Sequence, residues 1–208
     1  MKNDNKALSN IEFSKDAADY DQSRRYAPLR AVYSKIVDEA LSQPFTSVLD
    51  VGCGTGALML MIQERLPNAK LFGIDISEEM IKVAKAKLGS KADLRVSDSE
   101  NLPFESGSFD LVLCTFSFHH HPNAEAVFKG FRSLLARNGR LIMADPLAPM
   151  PLRQVMNMLI PFRKDGTVRY YSKREMYVLA ESAGLSISKW SMLNWHSYMM
   201  VAQGAPGS

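Results

Sequence analysis

Residues Val48 to Gly56 read VLDVGCGTG: apolar residues around one acid, Asp50, then glycine at positions 52, 54 and 56. A short apolar run is the pattern of a strand buried on both faces, and clustered glycines let the chain turn tightly and approach a ligand closely. From Ala57 to Leu66 the spacing becomes helical and stops at Pro67. The loop therefore opens a helix whose first N–H groups are free to hold an anion. Leu71 to Ile74 is a second short apolar run, and together these segments predict one βαβ unit.

Working outward, the alternation continues. Ser77 is an N-cap followed by Glu78 and Glu79, and Met80, Ile81, Ala84 and Leu88 form a stripe closed by Gly89. Strands are expected at Leu94–Ser97, Phe109–Thr115 and Arg140–Ala144, with a helix from about Asn123 to the Asn138-Gly139 turn. Ser172 and Glu175 form a capping box before a helix ended by Gly184, and strands follow near Leu185–Lys189 and Tyr198–Ala202. Upstream, the polar start MKNDNKALSN reads as mobile. Phe13, Ala17 and Tyr20 share a helical spacing, and Pro28 opens a second pattern of Leu29, Val32, Ile36 and Ala40. The expected fold is α/β and doubly wound, in one domain: leader helices over 1–45, a core over 46–145, a proline- and methionine-rich cap over 146–171, and a closing helix and strands over 172–208. The short last connection predicts an antiparallel final strand.

Composition narrows the function. The 208 residues are 46% hydrophobic, enough for a core, and the net charge of +3 comes from scattered Lys and Arg, which calls for no nucleic acid. The two cysteines, Cys53 and Cys114, lie in apolar runs and build neither a disulfide framework nor a CxxC metal site. With no signal-like or membrane-spanning run, the expected location is cytoplasmic. Oligomeric state is not legible.

In a parallel sheet the ligand crevice lies beyond the carboxyl ends of the strands. After the first strand stand Gly52, Gly54 and Gly56. After the second stands Asp75, where a carboxylate can accept from both ribose hydroxyls. After the third stands Asp98, at the head of DSENLPFESGSFD, suited to an adenine amine. These positions describe an adenosine with an anionic tail, carried either by a nicotinamide dinucleotide, since Gly52, Gly54 and Ala57 match G-x-G-x-x-A, or by S-adenosylmethionine.

Four linked stretches resemble one family: VLDVGCGTG, FGIDIS, DSENLPFESGSFDLV, and the run from His119 through LLARNGRLIMADP. They are similar to class I S-adenosylmethionine-dependent methyltransferases, in the type 11-like small-molecule branch related to the ubiquinone and menaquinone biosynthesis enzymes. The resemblance implies a Rossmann-like seven-stranded sheet in the order 3-2-1-4-5-7-6, with strand 7 antiparallel. It also implies S-adenosylmethionine as cofactor, S-adenosylhomocysteine as product and a small methyl acceptor. Placed on this sequence, the implied cofactor site comprises Tyr20, Asp50, Gly52, Cys53, Gly54, Gly56, Asp75, Ile76, Met80, Asp98, Ser99, Glu100, Thr115 and Phe116. Asp75 would hold the ribose, Asp98 with Ser99 and Glu100 the adenine edge, and Tyr20 the methionyl carboxylate. Thr115-Phe116-Ser117-Phe118 replaces the N/D-P-P-Y motif of amino-methylating relatives, which argues against amide or adenine-amine acceptors.

Other residues have plainer readings. His119, His120 and His121 are adjacent, so their rings diverge and no metal site is expected; they open a helix or pack, with His119 or His120 the candidate catalytic base if one is used. Cys53 and Cys114 read as small core fillers. The lysines from Lys82 to Lys91 read as a solvated face, and the methionines and aromatics from Met150 to Tyr171 as core or an apolar acceptor pocket. Two alternatives remain at this point: a nicotinamide-dependent oxidoreductase, and a non-catalytic S-adenosylmethionine-binding protein.

Overall fold

The computed structural model describes residues 2–205, so Met1 and residues 206–208 of the expected domain lie outside the described residues. Three helices, α1 (Lys2–Asp16), α2 (Ala27–Arg30) and α3 (Tyr33–Ala40), precede the sheet. Then come β1 (Ser47–Val51), α4 (Ala57–Arg65), β2 (Lys70–Asp75), α5 (Glu78–Leu88), β3 (Ala92–Val96), β4 (Phe109–Thr115), α6 (Ala124–Leu134) and β5 (Leu135–Pro146). The chain closes with α7 (Leu152–Leu159), α8 (Lys173–Ser182), β6 (Leu185–Asn194) and β7 (Ser197–Gly204).

The strands form a single sheet in the order β3-β2-β1-β4-β5-β7-β6. The first five run parallel, and β7 lies antiparallel between β5 and β6. Apolar side chains alternate between two cores, as the twofold period of a strand requires. Leu111 and Leu113 of β4, with Ile142 of β5, join the layer containing α3, α4 and α5. Val112, Cys114, Leu141 and Met143 join the opposite layer with Phe128 and Phe131 of α6 and Met176 of α8. Phe128 and Phe131 are fully buried, each contributing roughly 1.5–3 kcal/mol of transfer free energy.

Local signals set most boundaries. Ser77 Oγ accepts from the amide of Met80 at 3.2 Å, and Ser172 with Glu175 completes a capping box. The polar start departs from expectation, since residues 2–16 are helical and docked. Likewise α6 ends at Leu134 rather than at Asn138-Gly139. There the Ser133 carbonyl accepts from the Gly107 amide, and Leu135 is already paired with Phe109. Gly139 instead sits inside a register irregularity of β5, where a Cβ would come within 2.7 Å of the Phe109 carbonyl. Buried Arg140 donates to the carbonyls of Glu39, Ala40 and Gln43, so a cation closes the C-terminus of α3. Among the described residues no helix is long and apolar enough to cross a membrane.

Candidate active site

The loop after β1 is built by backbone bonds. The amides of Gly52 and Cys53 both donate to the Ile74 carbonyl, and the Gly54 amide donates to Asp75 Oδ2 at 2.9 Å. Asp75 Oδ1 accepts from the Ser77 amide at 2.9 Å, so one carboxylate pins the glycine loop to the start of α5. Gly52 has φ +77°, and a Cβ there would stand 2.5 Å from Ser117 Oγ, while a Cβ on Gly54 would meet nothing within 4 Å. Gly52 is therefore required by packing and backbone; beside Gly54 the space is open.

A cavity of about 70 Å³ lies beyond β1, β2 and β3. Gly52, Asp75, Ile76, Asp98, Ser99 and His120, all expected site residues, line it. Its outer wall was not legible in the sequence. Lys6, Ser9 and Phe13, on one face of α1 by their i, i+3, i+7 spacing, close it. Lys6 Nζ reaches Asp98 at 2.6 Å and Glu100 at 3.0 Å, Ser9 Oγ meets His120 Nδ1 at 3.2 Å, and Ser14 Oγ reaches Ser77 at 3.0 Å and Glu79 at 2.7 Å.

The other expected residues lie around this cavity rather than on its lining. Asp50 is 1% exposed and its Oδ1 has no hydrogen-bond partner; burial, with the charge of Asp75, pushes its carboxyl up to about 7. Tyr20 stacks on Tyr26 at 4.0 Å, and burial and then the Asp75 charge push its phenol upward. Cys53 Sγ, Met59 and Leu94 converge on the space left by Gly73, and Met80 is buried in the core. Gly56 lets α4 approach Ala84 and Leu88 of α5. Thr115 pairs with Ala144, and Phe116 holds φ +53°, the sole positive φ of a non-glycine among the described residues. That strained turn sits where β4 ends, as strain at functional sites commonly does.

The three histidines take three different partners. His121 Nδ1 meets Ser99 Oγ at 2.6 Å, and burial first, then His119, pushes its ring down to about 4. Burial likewise pushes His120 well below the usual imidazole range. His119 Nδ1 lies 2.8 Å from Asp145 Oδ1. Burial raises the Asp145 carboxyl, and His119 pulls against that rise.

A second cavity, of about 470 Å³, lies on the other side of β4. Pro146, Leu147, Leu152, Met156, Tyr170 and Trp195 are among its lining, with His196 beside them. His119 stands between the two cavities: its ring is 4.1 Å from that of His120, which lines the first, and stacks at 5.7 Å on Tyr170, which lines the second.

The family model described as a methyltransferase domain matches residues 48–139, the part of the chain that builds the glycine loop and β2 to β4. That stretch of the chain is similar to a methyltransferase domain. It is 35% identical over 140 residues to a malonyl-[acyl-carrier protein] O-methyltransferase of Geobacter sulfurreducens, covering 64% of this chain and 50% of that one. It is 30% identical over 115 residues to a demethylmenaquinone methyltransferase of Thermotoga maritima, covering 55% and 50%. The chain thus spans about half the length of these curated relatives. The crystal structure of the 1,6-didemethyltoxoflavin-N1-methyltransferase of Burkholderia thailandensis shares the fold, with TM-score 0.76 and 18% identity over 99% of this chain and 91% of that one.

The residues present fit S-adenosylmethionine, the cofactor that the sequence resemblance implies. A buried carboxylate oxygen of Asp50 is left unpartnered, the space beside Gly54 is open, and Asp98 and Ser99 line the cavity, Asp98 with lone pairs beyond those that Lys6 and the Glu100 amide take. These are the groups that an ammonium, a backbone-cradled tail and an adenine amine require.

Proposed function

We propose that this chain methylates a small, largely apolar acceptor, with S-adenosylmethionine in the first cavity and the acceptor in the second under a cap formed by residues 146–171. The observation that carries this reading is the place of His119, whose ring packs on one lining residue of each cavity. When bound, the cofactor supplies a methyl group already activated by a sulfonium. Asp75 accepts from the ribose hydroxyls with the lone pairs its two loop contacts leave free. Asp98 and Ser99 take the adenine edge, Asp50 the ammonium, and Tyr20 closes over the tail. The apolar wall of the second cavity excludes water and aligns the acceptor. His119, its Nδ1 proton directed at Asp145, takes the proton that leaves the acceptor's heteroatom at Nε2. With both cysteines buried and free, a reducing cytoplasm suits the chain.

Calorimetry with S-adenosylhomocysteine and with NAD tests the assignment. Saturable binding of S-adenosylhomocysteine and none of NAD is expected; the reverse result overturns it.

Asp75→Ala bears on the ribose contact. Cofactor affinity is expected to fall by roughly 1.5–3 kcal/mol, the range for hydrogen bonds to a charged group. The melting temperature should fall as well, because the same carboxylate pins Gly54 and Ser77. Unchanged affinity would place the ribose elsewhere.

A further inference from the structure

The cap wears its polarity inside out. Helix α7 has no buried residue, and its contact with the following segment is polar: Asn157 donates to the Tyr170 carbonyl at 3.0 Å and accepts from the Tyr170 amide at 2.9 Å. Its large apolar side chains face outward instead. Leu152, Val155, Met158 and Leu159 are exposed, and Phe162, just beyond the helix, and Trp195, at the β6–β7 turn, are 82% and 85% exposed. Leu152 and Trp195 also line the 470 Å³ cavity, so that cavity opens through this face.

Cations outnumber acids in the segments that build this face. Residues 22–37, 146–171 and 185–197 each supply part of the lining or the exposed apolar residues. They hold nine of the chain's 25 Lys and Arg and one of its 22 Asp and Glu, and Glu12, Asp16, Glu39 and Glu175 from neighbouring segments pair with three of those cations. Arg25, Arg163, Arg169 and Lys189 form ion pairs, whereas Arg24, Arg153 and Lys164 have none among the described residues. Exposed aromatic and aliphatic side chains with unpaired cations on the same segments are what an anionic lipid surface binds, because apolar tips enter the headgroup region while the cations stay at the phosphates. A second copy of this face would bring its own positive charge into the contact.

We propose that this face docks peripherally on an anionic bilayer, with Phe162 and Trp195 at headgroup depth. Resting on the methyltransferase reading, this means that the acceptor partitions into lipid and enters the second cavity from it.

Vesicle co-sedimentation of the full chain tests the docking, with phosphatidylcholine alone against phosphatidylcholine containing about 30% phosphatidylglycerol, in about 0.1 M salt and again in about 0.5 M. The chain is expected to sediment with the anionic vesicles in low salt, to be released by high salt, and to show a blue shift of emission that Trp195→Phe removes. Met158→Asp with Phe162→Asp should cut the bound fraction roughly tenfold or more, with melting and S-adenosylhomocysteine binding unchanged. No binding by the wild type, equal binding by the double variant, or a dimer in sedimentation velocity that the double variant dissolves would each overturn the proposal. Loss of S-adenosylhomocysteine binding in the wild type would instead overturn the methyltransferase reading and leave the docking result standing.

Discussion

His119→Ala lowers the rate of methyl transfer by about 10²-fold or more with any acceptor the wild type turns over, and leaves S-adenosylhomocysteine affinity within about twofold. The expectation follows from the partition of the three rings. His120 and His121 are held neutral by burial and engaged by Ser9 and Ser99. His119 Nδ1 lies 2.8 Å from the Asp145 carboxylate, and with the proton on that nitrogen Nε2 is left to accept. A base leaves a signature that packing does not. The deficit should shrink as the acceptor's own hydroxyl or amine becomes more acidic, and added imidazole should restore part of the rate. Asp145→Asn, which removes the positioning carboxylate, should lower kcat by roughly tenfold to 10²-fold with little change in acceptor KM. A variant with normal turnover, or one whose loss tracks only a lowered melting temperature, returns His119 to a packing role.

Asp50→Asn is expected to stabilise the ligand-free protein at neutral and alkaline pH. The folded carboxyl titrates near 7 because it is buried and faces the charge of Asp75, whereas an unfolded aspartate titrates near 3.9. A folded-state pKa above the unfolded one means that the native state binds more protons, so stability is full below about pH 4 and falls as pH rises toward 7. The loss is on the order of 4 kcal/mol once both states are ionised. The gap in melting temperature between Asp50→Asn and wild type should therefore widen from pH 4 to 7 and then level. Cofactor affinity should move the other way, since the variant lacks the carboxylate proposed to meet the ammonium. A gap independent of pH would mean that Asp50 titrates normally in the folded chain.

How much of this was legible in the sequence depends on which interaction fixed each feature. The glycine loop, Asp75 and Asp98 were readable because the crevice of a parallel sheet receives whatever follows its strands. The capping box at Ser172 and the cap at Ser77 were readable because both are local. The end of α6 was not, because Leu135 is claimed by Phe109 in the neighbouring strand. Helix α1 was legible only in part: leader helices were expected from the spacing at Phe13, but its polar start read as mobile, because what docks it are contacts to Asp98, His120 and Ser77, far away in sequence. Asp145 gave no signal as a partner of His119, since 26 residues separate them and the pairing exists only where β5 ends beside β4.

The docking of α1 also bears on time. The space it closes, about 70 Å³, is well under the roughly 300–1,000 Å³ of ordinary ligand sites, so the helix must shift before a nucleoside is accommodated beneath it. What holds the helix is largely polar: Lys6 against two carboxylates, the hydroxyls of Ser9 and Ser14, and Arg25 and Tyr26 on Glu12 and Asp16, with the Phe13 ring against His120. Partly solvated contacts of this kind break locally and often, without disturbing the sheet beneath. On this geometry the residence time of spent cofactor is set by how often fifteen residues lift from Asp98, His120 and Ser77, and ionic strength shortens it without touching the chemistry.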